Sequence, residues 1–149
     1  MVTSSTLLSD TILFVRNVLR TNITDPLTGS RVGSFVMTSY PKEAVQYPLI
    51  TVRGKNDGDQ KLGQQCENSL VKLTIEVRVW AKSEKQKNNL TDDVYNFLRT
   101  NQYPSTTANT STNEQLWDFG INFANDIDEN GEEAVKSKLM EFRYSFITS

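Results

Sequence analysis

Between Leu70 and Lys82 apolar and polar residues alternate along the chain. Val71, Leu73, Ile75, Val77 and Val79 fall on one side, and Lys72, Thr74, Glu76, Arg78 and Trp80 on the other. A period of two with β-branched residues on the apolar side predicts a half-buried strand. Ser83 follows, three residues before Gln86, the spacing of a capping box in which a hydroxyl accepts an orphan N–H of the first helical turn. Leu90, Val94, Phe97 and Leu98 then recur at helical spacing, so a helix over Ser83–Arg99 is expected to lay one apolar stripe on the sheet. The remaining segments read as cover for this strand–helix unit.

The same periods place the other elements. Leu8, Ile12, Val15, Val18 and Leu19 share a helical face, with Leu7 and Phe14 at its border, which predicts a first helix over Ser5–Thr21. It is expected either to pack on the sheet or to serve as an arm on a neighbouring subunit. Thr24–Ser34 carries Asp25, Pro26, Gly29 and Gly33 and reads as a loop. Short strands are expected at Phe35–Ser39 and Leu49–Arg53, on either side of Tyr40-Pro41 and Tyr47-Pro48. Asn101–Asn113, rich in Ser, Thr and Asn, reads as loop. Leu116–Ile127 and Lys138–Thr148 read as the last two strands. Asp128-Glu129-Asn130-Gly131 between them holds the Asn-Gly pair favoured in two-residue hairpin turns.

Gly54–Ser69 (GKNDGDQKLGQQCENS) has no period. Three glycines, mixed charges and only Leu62 and Cys66 as apolar residues predict a sixteen-residue loop, either a partner-binding segment or a passive connector. Lys55, Asp57, Asp59 and Lys61 are its candidate interface residues. Trp80, on the polar side of its strand, is the fifth: it either packs beneath a loop or anchors an interface, where tryptophan is enriched.

The expected fold is α+β: one domain over residues 1–149, with a mixed, mostly antiparallel sheet of about five strands and two helices on one face. At 149 residues the chain can bury one core. Its 37% hydrophobic and 23% charged content fits a globular protein, and the net charge of −2 is unlike that of a general nucleic-acid binder. No apolar run approaches the roughly 20 residues of a membrane helix, and the N-terminal residues lack the basic region of a signal peptide.

Candidate chemistry is sparse. The chain has no histidine, which removes the commonest general base and zinc ligand. No phosphate-cradling glycine motif is present. Cys66 is the only cysteine and reads as an incidental thiol, with no internal disulfide to form. Asp126–Glu132 resembles the start of an EF-hand loop, but Ser137 stands where the bidentate glutamate belongs, so a hairpin tip is expected instead. Asp92, Asp93, Glu132 and Glu133 remain the carboxylates of an alternative enzyme or ligand-binder reading. No catalytic, cofactor-binding or metal-binding residue is expected.

At Tyr47-Pro48-Leu49-Ile50-Thr51-Val52, and again at Val71–Ala81 with the Ser83–Arg99 helix, the chain resembles the tail-terminator (neck, or tail-completion) proteins of long-tailed bacteriophages. That resemblance implies a small subunit of a homohexameric ring in the virion neck, assembled in the host cytoplasm, that ends tail-tube polymerisation and joins tail to head. Tail-tube and head–tail connector proteins would be its partners and DNA its passing cargo, with no membrane, cofactor or catalysis. A connector, adaptor or tail-tube subunit is the alternative within the same class.

Overall fold

A computed structural model describes residues 6–42, 45–64, 68–101, 116–127 and 135–147, apart from the side chains of Asn56, Asp57, Trp117 and Phe123. The elements run α1 (Leu7–Asn22), β1 (Val36–Met37), β2 (Leu49–Lys61), β3 (Ser69–Ala81), α2 (Glu84–Thr100), β4 (Leu116–Ile127) and β5 (Lys136–Ile147). The fold is α+β, a single domain built on one five-stranded sheet of order β1-β2-β3-β5-β4. Only β1 runs parallel to its neighbour, pairing Val36 with Ile50 and Met37 with Thr51; the other pairings are antiparallel.

β3 sits at the centre, as its alternation requires. Val71, Leu73, Ile75, Val77 and Val79 are all buried on one face, opposite Phe146, Tyr144, Phe142 and Met140 of β5 and Ile50 and Val52 of β2. Both helices cover this face. α1 packs on β1 and β2, α2 on β3 and β5, and the helices touch each other.

The α1 stripe is rotated from the expected one. Its centre is Leu7, Thr11, Val15 and Leu19, while Leu8, Ile12, Phe14 and Val18 flank it half-buried. Thr11 tolerates burial because its hydroxyl donates to the Leu7 carbonyl one turn back, at 2.7 Å. At the end of the helix, Arg20 donates twice to the Val36 carbonyl, at 2.9 and 2.7 Å, and so holds the short β1 against it. In α2 the Ser83 hydroxyl accepts the Gln86 N–H at 3.1 Å, the cap that the spacing predicted.

The expected loop Gly54–Ser69 is a correction. β2 continues to Lys61 and pairs residue by residue with β3 back to Ser69, with one register shift between Asn56 and Gly58. Backbone pairing along the edge of β3 makes it a strand; among the described side chains Lys55, Asp59, Gln60 and Lys61 are exposed, so no alternation marks it. The connection shrinks to residues 62–68. Cys66, the Asn130-Gly131 turn, Glu132, Glu133 and nearly all of the predicted loop Asn101–Asn113 lie outside the described residues.

The loop after α1 is pinned by charge. Arg31 pairs with Asp25 at 2.7 Å, donates to the carbonyls of Gln46 and Pro48, and lies over the Phe35 ring with its guanidinium carbon 5.2 Å from the centroid. Burial pushes the Asp25 carboxyl up, but Arg31 and the Leu27 N–H outweigh it and hold its pKa below the ordinary value. This clamp sets the approach of the chain into β2.

Candidate interaction surface

With both helices on one side, the other face of the sheet carries no helix among the described residues. Strand register assembles it. Arg53 stands opposite Glu76, and Glu76 opposite Glu141. One step along, Lys55, Thr74 and Arg143 form the next row; on the other side Thr51, Arg78 and Leu139 form another. Lys72 lies beyond, beside Ser145. Small buried side chains, Thr51, Thr74, Ser137 and Ser145, alternate with long charged ones that rise over them.

Like charges directly opposite one another destabilise a sheet unless cations intervene. Glu76 and Glu141 have them: Arg53 lies across from Glu76, while Arg78 and Arg143 are the next same-face residues along their strands. Arg143 also reaches Asp118 at 3.7 Å, from a β4 backbone bent by register shifts and a positive φ of 54° at Asp118. Gly120 leaves room for that guanidinium, because a β-carbon there would come within 2.6 Å of it.

One end of the face is walled. The segment before β2 brings Tyr40 against Trp80, with ring centroids 4.8 Å apart, and the Tyr40 and Tyr47 hydroxyls share a hydrogen bond. Arg78 also stacks on the indole, its guanidinium carbon 3.8 Å from the ring centroid, and donates to the Ser137 hydroxyl at 2.9 Å. The Trp80 N–H reaches the Thr51 hydroxyl at 3.4 Å. Tyr40, Thr51, Arg78 and Trp80 line a cleft of about 430 Å³ together with Arg53, Glu76 and Leu139. Trp80 thus packs beneath the Tyr40 segment, the first of its two expected environments, and also lines an accessible cleft.

The other predicted interface residues divide. Lys55 shares the open face with Trp80. Asp59 and Lys61, opposite Val71 and Ser69, are exposed at the far end of the β2–β3 pair, and Asp57 lies at its register shift. Trp80 and Ser69 stand eleven positions apart along β3, about 35 Å at strand rise. These residues therefore do not converge on one site. Tyr40, Arg53, Arg78 and Arg143 were missed. Alternation had put Arg78 and Arg143 on the polar sides of their strands, but it does not say which strands are neighbours.

A second, shallower groove of about 620 Å³ lies between the end of α1 and α2, where Asn22, Ile23 and Pro26 face Lys85, Asp93 and Phe97. Asp93 is the one carboxylate in its lining, and Asp92 is exposed on the helix surface. A carboxylate pair for acid and base work does not form there. Asp126, the start of the EF-hand-like stretch, is instead held by the buried Lys87 of α2 at 2.7 Å. No protein-family model matches this chain, and no curated protein matches it.

Proposed function

We propose that this chain is a structural ring subunit at the head–tail junction of a long-tailed bacteriophage, where it ends tail-tube polymerisation and joins the tail to the head. The open sheet face with its Tyr40–Trp80–Arg78 wall carries this reading. A two-layer protein with a helix-free face displaying stacked aromatic and arginine side chains has the residue types in which binding energy concentrates. The order helix, three strands, helix, two strands is the one that the hydrophobic pattern of the chain predicts, and it fits a small α+β ring subunit. The long loop of that pattern is here mostly a pair of strands, which offers neighbours a rigid extension in place of a flexible one.

In this role the subunit assembles with itself, as a hexamer, and meets the tail-tube protein on one side and the connector on the other. It holds no cofactor, catalyses nothing, and lets DNA pass through the ring. Disrupting the gene should yield filled heads without joined tails, and tails that are absent or of uncontrolled length, in electron micrographs. Normal tails on filled heads would overturn the proposal. Size-exclusion chromatography with light scattering should find a ring-sized homo-oligomer.

A further inference from the structure

Two charged side chains in the cleft beside Trp80 have unused bonding capacity. Arg53 of β2 and Glu76 of β3 stand opposite each other in register, and both line it. Arg53 is exposed and Glu76 half-buried, and among the described residues neither has a hydrogen-bond or ion-pair partner. The wall next to them is fixed: Tyr40 and Arg78 lie against the indole, and Arg78 is tied to Ser137. From this arrangement we infer that the cleft takes an extended segment of another protein. An aromatic side chain of that segment lies against the Tyr40–Trp80 wall, one of its backbone N–H groups donates to Glu76, and an adjacent carboxylate accepts from Arg53. The inference names the partner chemistry of the open face and rests on the reading of that face as a protein-joining surface.

Size, charge and bonding demand select this occupant. At about 430 Å³ the cleft has room for one aromatic side chain and the backbone that carries it. Aromatic side chains bury much apolar area at little entropic cost, which concentrates binding energy where a pocket receives them. Charge sets the sign of the segment. Two guanidinium groups and one carboxylate line the cleft, and the face beyond adds Lys55, Lys72 and Arg143 against Glu141 and Asp118. An acidic segment is attracted to such a surface. Glu76 also needs a donor, because a half-buried carboxylate left without one costs free energy. A peptide meets both demands, since each non-proline residue sets an N–H beside its side chain. The backbone of a nucleic acid does not: its phosphates only accept, and would stand against Glu76.

The full chain, isotopically labelled for NMR, provides the test, with the Trp80 indole resonance assigned by its loss in Trp80→Phe. The probe is the acetylated and amidated peptide Ser-Asp-Phe-Ser, which should shift that resonance saturably. Asparagine in place of its aspartate should weaken binding about tenfold, and alanine in place of its phenylalanine at least as much. Arg53→Gln should weaken the aspartate peptide about tenfold and leave the asparagine peptide nearly unchanged. Lys85→Gln, at an exposed position of α2, should change neither. Glu76→Ala removes a negative charge, yet loss of the N–H bond should weaken the peptide about threefold. No shift at Trp80, equal affinity of the aspartate and asparagine peptides, or tighter binding to Glu76→Ala overturns the inference. An oligothymidylate that binds more tightly than the peptide at the same resonance also overturns it and assigns the cleft to nucleic acid. Light scattering on the same samples keeps the two readings apart. A ring without peptide binding leaves the ring standing and removes the inference. A monomer that binds the peptide as described keeps the inference and removes the ring.

Discussion

Lys87 of α2 extends its ammonium to within 2.7 Å of Asp126 Oδ1 on β4 and 2.9 Å of Glu84 Oε2. The lysine side chain is 3% exposed and the Asp126 side chain 58%. Burial alone would lower the lysine pKa, but its bonds to Asp126 and Glu84 raise it above the ordinary value. The same bond from Lys87 holds Asp126 below its ordinary value against a smaller opposing effect of burial. This pair ties the second helix to the edge strand of the sheet.

The two partners should respond unequally to removal. Asp126→Ala leaves a buried ammonium with Glu84 alone and should cost about 1–2 kcal/mol in denaturant unfolding. Lys87→Met keeps the volume and leaves only two solvated carboxylates, Asp126 and Glu84, so its cost should stay below about 1 kcal/mol. A depressed carboxylate pKa stabilises above its unfolded value and is lost as pH falls through the folded one. Melting temperature should therefore drop below about pH 4 in the native protein, and part of that drop should be missing in Lys87→Met. Superimposable acid profiles would show that the pair does not contribute.

Calcium should leave the melting temperature unchanged. Asp126 is already paired with an internal ammonium, and Ser137, in place of the twelfth-position glutamate, is buried in β5 with its hydroxyl donating to the Ile127 carbonyl. A saturable rise with calcium that disappears in Asp126→Ala would contradict this through binding linkage.

Gly54 is where α1 crosses the sheet. A β-carbon there would stand 2.8 Å from Ile75 Cδ1 and 3.0 Å from Ile12 Cγ1. Gly54→Ala should destabilise the protein by about 1–3 kcal/mol through overpacking. Shortening the neighbour with Ile75→Val in the same chain should recover part of that loss, and strictly additive costs in the double variant would rule out the proposed clash.

Trypsin should separate strand from connection in the β2–β3 pair. Lys55 pairs with Thr74 well inside the ladder, whereas Lys61 is the last residue of β2. Cleavage after Lys61 should precede cleavage after Lys55 by about tenfold or more, read from the first fragments by mass spectrometry. Equal rates would mean that β2 beyond Arg53 opens freely in solution.

The sequence by itself determined the elements whose signals are local. Alternation in β3 and β5, the Ser83 cap and the apolar stripe of α2 follow from the geometry of a strand or a helix, and neighbouring residues suffice to express them. β4 runs over the same residues, Leu116–Ile127, that were expected to form it. Tertiary structure alone decided the rest. The outer half of β2 is a strand because β3 supplies hydrogen-bonding partners to residues whose described side chains stay exposed. Lys87 takes a buried place in a helical stripe because Asp126, 39 positions away, neutralises it. Placing β5 between β3 and β4 brings Arg143 beside Thr74 and so completes the basic face. Such pairings are long-range: each partner has an ordinary sequence environment, and the energy that joins them exists only once the chain has folded.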